Sequence, residues 1–292
     1  MMNISGHPAF LQYVEPARAF PALWRVIFGL VLWAALAMGF AVVVAVLVSL
    51  FRPDLMAEES IFGGTTPFGV VSFLGVFGGA FLAIWLVARA LHNRGLRSLI
   101  GTGPVLRNFF IGAGVFLGLQ AINIGLWHIF YDSVPNVSLD VFLFWLPILV
   151  VVLVLQTGAE ELAFRGYVMQ QLAARFASPV VWMVVPPILF ALMHFNPSSY
   201  GPLTWVVIGL IFFLAMLWAD LTRVTGNLGA AWGWHFANNF IVFGVLGSPG
   251  EMDGLAMRVT PYDVVGTPPV AYLGFVATLL LTWAILRRLL RA

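Results

Sequence analysis

Long apolar runs alternate with short polar breaks along this chain, and eight such runs stand out. They cover approximately residues 26–50, 68–91, 108–130, 141–156, 179–195, 203–221, 228–246 and 270–290. A helix needs about 20 apolar residues to cross the hydrocarbon core of a bilayer. The breaks hold turn and charge signals. Arg52-Pro53-Asp54 closes the first run, four Arg lie between 89 and 107, and a polar stretch at 131–140 closes the third. The fourth run continues without a break into Gly158-Ala159-Glu160-Glu161-Leu162-Ala163-Phe164-Arg165, and Pro186-Pro187 interrupts the fifth. Glycine pairs at i,i+4, Gly75 with Gly79 and Gly114 with Gly118, read as points of close helix packing. Asn227 stands where a cap of the seventh helix would stand. The pattern predicts an all-α, polytopic transmembrane helical bundle of about eight spans. It fills residues 1–292 as a single integral membrane domain, with no room for a separate soluble one.

Composition fits only that class. The chain is 61% hydrophobic and 9% charged, with a mean hydropathy of +0.99. Soluble domains carry about 25% charged residues. A net charge of +2 is too small and too dispersed to suggest nucleic-acid binding. There is no cysteine, so disulfides and thiolate metal sites are excluded. Residues 1–20 carry His7, Glu15 and Arg18, and the first apolar run is too long for a signal-peptide core.

Every basic residue is Arg, and their placement sets the orientation. With both termini cytoplasmic, Arg18, Arg25, Arg89, Arg94, Arg97, Arg107, Arg165, Arg175, Arg223, Arg287, Arg288 and Arg291 fall inside. Arg52 and Arg258 fall outside, with the acidic loop residues Asp54, Glu58, Glu59, Asp132, Asp140, Glu251, Asp253 and Asp263. That asymmetry is the positive-inside rule. All-Arg basic content and compact loops point to a bacterial protein, and so to a multi-pass protein of the cell's inner membrane.

A charged side chain inside the hydrocarbon costs roughly 2.5–3.5 kcal/mol on insertion scales, so those present are functional candidates. The fourth segment holds Glu160, Glu161 and Arg165, the fifth His194, and the seventh His235, Asn238 and Asn239. Glu161 and Arg165 stand at i,i+4 with the acid first, the favourable order for an ion pair. Glu160 lies about 100° around the helix from that pair. It is therefore free to face a cavity, while the bland alternative is a charged helix end at the membrane surface. His235 and Asn239, also at i,i+4, share a face. Phe190, four residues before His194, could buttress its ring. If the fifth span starts at residue 179, His194 lies too deep; it fits if the helix enters after Pro186-Pro187. Gln120, Asn123, His128 and Asp220 read as interhelical or interfacial hydrogen-bonding residues, with Gln120 and Asn123 able to line a cavity instead.

A carboxylate, two imidazoles and an amide suffice for peptide hydrolysis. Glu160 can act as general base toward water. One imidazole can orient that water and pass a proton on. A second imidazole and an amide can donate to the oxyanion. One Glu and two His are equally a zinc ligand set with an open position, and spacing alone does not separate the two. A transporter relaying protons through buried Glu and His is a further alternative, as is a non-catalytic immunity protein.

The three motifs Glu160-Glu161-x-x-x-Arg165, Phe190-x-x-x-His194 and His235-x-x-x-Asn239, in that order within 160–239, resemble those of the CAAX-protease and bacteriocin-processing family. Its members are intramembrane glutamic endopeptidases of the type II CAAX prenyl protease kind. The resemblance implies that Glu160 and His194 activate water without a metal or other cofactor, and that His235 and Asn239 form the oxyanion site. Glu161 and Arg165 would be supporting residues. It implies a peptide or membrane-protein substrate met within the lipid bilayer, and leaves open whether that substrate is lipidated.

Overall fold

Each of the eight apolar runs is helical in the computed structural model, which describes residues 7–58, 64–250 and 252–290. Glu59, Glu251 and Arg291, which enter the charge pattern, lie outside the described residues. In chain order the helices are α1 (Leu23–Phe51), α2 (Pro67–His92), α3 (Val105–Phe130), α4 (Leu139–Arg175) and α5 (Pro179–Leu192). They continue with α6 (Thr204–Thr225), α7 (Gly229–Phe240) and α8 (Pro269–Leu289). Six of the runs form helices long and apolar enough to cross a membrane; α5 and α7 are the shorter two. Large apolar side chains such as Val31, Phe51, Phe110 and Phe144 point outward. Water would not tolerate so much contiguous apolar surface, whereas lipid does. The protein is an all-helical, multi-pass membrane protein.

Two short helices differ from the sequence expectation in ways that matter for the site. Helix α5 does not begin at Pro186-Pro187. It starts at Pro179, runs through both prolines and ends after 14 residues at Leu192. At 1.5 Å per residue it is about 21 Å long, short of a hydrocarbon core of roughly 30 Å. His194 therefore sits in the turn just past the helix, not on it. Helix α7 has 12 residues and widens into a π-helical turn, Ile241–Val245, just beyond Asn239. The long helix α4 does the same. Its α-helical part ends at Glu161, and Leu162–Met169 is π-helical before the α form resumes. Such π segments are frequent at functional sites.

The inner half of α4 is the axis of the bundle. Every residue from 156 to 172 is buried, so a helix that begins at the lipid boundary is surrounded on all sides where it carries its charges. Helices α3 and α7 approach closely because glycines face backbone on both sides. A Cβ on Gly233 would strike the backbone of Phe109, and one on Gly112 the backbone of Ala230. Of the glycine pairs singled out from spacing, Gly79 does abut Phe40, whereas Gly114 and Gly118 have nothing within 4 Å and serve no packing role. Substituting Ala for Gly233 should therefore destabilise by about 1–3 kcal/mol, the usual cost of overpacking. The same change at Gly118 should leave the melting temperature in detergent unmoved.

At the ends that the Arg pattern assigns to the outside, three two-residue strands tie the loops together. β1 (Val134–Pro135) is antiparallel to β3 (Arg258–Val259), which pairs in parallel with β2 (Leu246–Gly247). The Arg258 guanidinium donates to Ser133 across this join. At the opposite ends, the N-cap residue of α7 is Leu228, without a side-chain cap, and not Asn227; Asn227, one residue earlier, accepts from the Gly229 backbone N–H at 3.0 Å and from Asn108 Nδ2 at 3.3 Å. Asp220 pairs with Arg223 at 2.7 Å and accepts from the Trp283 indole of α8 at 2.9 Å, an interhelical role as expected.

Candidate active site

Residues from α4, α5, α6 and α7 meet at the buried half of α4. Arg165 Nη1 lies 3.0 Å from Glu161 Oε1, and both side chains have no solvent exposure. The i,i+4 pair read from the sequence thus forms. Its second guanidinium nitrogen donates to the Ala215 carbonyl of α6 at 3.2 Å. Two aromatic faces enclose the group, with Phe190 and Trp218 centroids 4.8 and 5.2 Å from the guanidinium carbon. A desolvated cation–π contact of this kind contributes about 2 kcal/mol.

His235 bridges the two carboxylates. Its Nδ1 is 2.9 Å from Glu161 Oε1, and its Nε2 is 3.3 Å from Glu160 Oε2. Adjacent residues on a helix diverge by about 100°, and an imidazole is wide enough for its opposite nitrogens to reach both. Glu160 is therefore less free than its spacing suggested: it lies against an imidazole. The 3.3 Å approach lacks hydrogen-bond alignment, and Glu160 Oε2 is buried without a hydrogen-bond partner among the described residues, as are Glu161 Oε2 and Arg165 Nε. Trp218 stacks on the His235 ring at 4.2 Å and 22°, fixing its plane, while Phe190 meets it edge-on at 5.8 Å.

Asn239, one turn along α7, donates from Nδ2 to Gln156 Oε1 at 2.8 Å and lies 3.4 Å from His235 Nε2. His194 reaches the cluster through Phe190. Its ring is 4.9 Å from that of Phe190, and its Nδ1 is 2.9 Å from the Phe190 carbonyl. A backbone carbonyl can only accept, so Nδ1 carries the proton and a neutral ring offers Nε2 as an acceptor. Among the described residues His194 forms no hydrogen bond or ion pair with Glu160, and no group of three or more His, Asp or Glu is disposed to hold a metal. All six residues singled out from the motifs thus lie in one neighbourhood, with Glu160, Glu161, Arg165, His235 and Asn239 in a chain of direct contacts and His194 across Phe190.

Two further residues belong to this cluster. Gln156 stands four residues before Glu160, on the same face, and its spacing could have marked it. Trp218 carried no signal, since an aromatic in an apolar helix is indistinguishable from core packing until the fold sets it on an imidazole.

The architecture is that of a multi-pass membrane protein with a buried polar centre. Residues 141–241, which contain all six motif residues, match the type II CAAX prenyl endopeptidase Rce1-like family. The family resemblance holds over that segment, about a third of the chain, which is similar to CAAX protease-type intramembrane endopeptidases. Over 245 residues the protein is 26% identical to the uncharacterized protein YyaK of Bacillus subtilis (strain 168), covering 79% of this chain and 80% of YyaK. No solved structure matches the chain.

Proposed function

We propose that the protein is a glutamic-type intramembrane peptidase in which Glu160 and His235 share one proton. The observation that carries this reading is the imidazole held between the two carboxylates, with Glu161 already matched to Arg165. The buried set is then electrically neutral in two ways. Either Glu160 is protonated and His235 neutral, or Glu160 is a carboxylate and His235 an imidazolium. A buried neutral set avoids the desolvation cost of an unmatched charge, and a proton moving between its two members keeps it neutral.

In the second form Glu160 takes a proton from water as its oxygen attacks the scissile carbonyl carbon. The Nε2–H of His235 and the Nδ2–H of Asn239 stabilise the resulting oxyanion. Collapse breaks the carbon–nitrogen bond, and the proton on Glu160 passes to the leaving amine. His194, with Nε2 open as an acceptor, orients the attacking water. Glu161 and Arg165 hold His235 in register from behind, Trp218 fixes its plane, and Gln156 aims Asn239. The zinc alternative would require His194 Nε2, Glu160 and His235 to converge on one ion, and among the described residues no group of three or more His, Asp or Glu is so disposed.

The test compares the peptides released from membranes of cells expressing the native chain with those from cells expressing Glu160→Gln at equal abundance. Peptides with new termini should occur only with the native chain. Identical peptide sets would contradict the reading.

A further inference from the structure

The π-helical stretch of α4, Leu162–Met169, holds Arg165, and all of it is buried. A π turn bonds an N–H to the carbonyl five residues back, an α turn to the one four back. Where the chain returns from π to α the register slips by one, a carbonyl loses its helical donor, and a buried carbonyl needs another. Two side chains from outside α4 reach carbonyls of this stretch. Tyr13, buried in a short N-terminal helix (Pro8–Val14), has its hydroxyl 3.3 Å from the Arg165 carbonyl and 2.7 Å from that of Leu99. Arg94, in the connection between α2 and α3, has Nη2 3.5 Å from the Gly166 carbonyl. The connection comes this close because position 166 is glycine: a Cβ there would lie 2.9 Å from the Leu99 oxygen. Leu99 also accepts from Gln170 Nε2 at 3.2 Å, whereas among the described residues no other side chain donates to the Arg165 carbonyl.

We propose that Tyr13 is a positioning residue of the active site, holding Arg165 through its backbone carbonyl, and His235 through Arg165 and Glu161. A phenol carries one hydrogen, and here the carbonyls of two neighbouring segments share it. Arg165 has little slack. Its guanidinium serves Glu161 Oε1 and the Ala215 carbonyl while lying between Phe190 and Trp218. The group stands at the end of a long side chain, so a small rotation of the backbone at residue 165 displaces it by more. The same Glu161 oxygen lies 2.9 Å from His235 Nδ1. A displaced guanidinium therefore changes the charge that this imidazole meets and the direction in which its Nε2 points. A packing role would need the Tyr13 ring but not its hydroxyl. The inference rests on the peptidase reading for its consequence in turnover, but the link from Tyr13 to His235 is measured without turnover.

The test is Tyr13→Phe, which removes only the hydroxyl, in the full-length protein isotope-labelled at the ring nitrogens of histidine and reconstituted in liposomes. Tyr167→Phe is the control. It deletes another hydroxyl of the π stretch, one that donates to the Arg25 carbonyl and lies 2.8 Å from His92 Nε2. Nitrogen NMR reports on the five histidines, and His235→Gln identifies the signals of His235. Tyr13→Phe should move both ring signals of His235 and leave those of His128, near the far end of α3, in place. Tyr167→Phe should move the signals of His92 and leave those of His235. With a peptide that the native chain cleaves, Tyr13→Phe should lower kcat about five- to tenfold at unchanged KM, the effect of weakening one buried hydrogen bond. Unmoved His235 signals in Tyr13→Phe, or signals moved equally by Tyr167→Phe, would overturn the proposal. So would a loss of kcat that a lower melting temperature accounts for. If His235 responds as expected while the native chain cleaves no peptide, Tyr13 still positions His235 and the peptidase reading is what fails.

Discussion

Replacing Arg165 with Met is expected to cost about 3–5 kcal/mol of folding stability, the usual penalty for removing one partner of a buried ion pair. The side chain has no exposure, and its removal leaves the equally buried Glu161 carboxylate facing only the Nδ1 of His235. The Ala215 carbonyl loses its donor, and Phe190 and Trp218 lose the cation between them. In detergent the melting temperature should fall by on the order of 10 °C, taking roughly 2–4 °C per kcal/mol. Substituting both members, Glu161→Met with Arg165→Met, should recover much of the loss, because no uncompensated charge then remains. Arg165→Lys should recover little, since a point ammonium cannot serve Glu161 and Ala215 together or lie flat between two rings. An Arg165→Met protein that melts with the native one would mean that the pair does not hold the centre together.

The helices were legible because lipid enforces a single rule. Every backbone polar group must be satisfied inside its own segment, so each long apolar run becomes a helix. Helical spacing also carried the Glu161–Arg165 pair and the shared face of His235 and Asn239, both of which are local geometry. Distances between helices were not legible. Spacing placed Glu160 away from Arg165 but gave no hint that His235 would reach both carboxylates, since that depends on how α7 crosses α4. The glycines that let α7 pack closely are Gly112 and Gly233, at its contact with α3, while spacing had drawn attention to Gly114 and Gly118. The position of His194 depended on where α5 ends, and a helix through two adjacent prolines is not what the breaker rule suggests. The order of the three motifs supplied what geometry could not: which of several buried polar residues belong together.

Glu160→Gln should reduce the rate of peptide cleavage by about 10²–10⁴-fold, the contribution of a positioned general base. The substitution is nearly isosteric, and with its amide nitrogen in place of Oε2, which makes no hydrogen bond among the described residues, it should leave the fold intact. It does remove the only group in the cluster that can exchange a proton with His235 Nε2. A structural role for Glu160 would give the opposite pattern, with a lower melting temperature and a rate lost only in proportion to unfolded protein. The most direct measurement is therefore the cleavage rate of a peptide identified from the membrane comparison, by purified Glu160→Gln in liposomes, with the melting temperature taken on the same preparation. A native melting temperature with a rate at least a hundredfold lower is the expected result. A native melting temperature with a native rate would contradict the account at its centre.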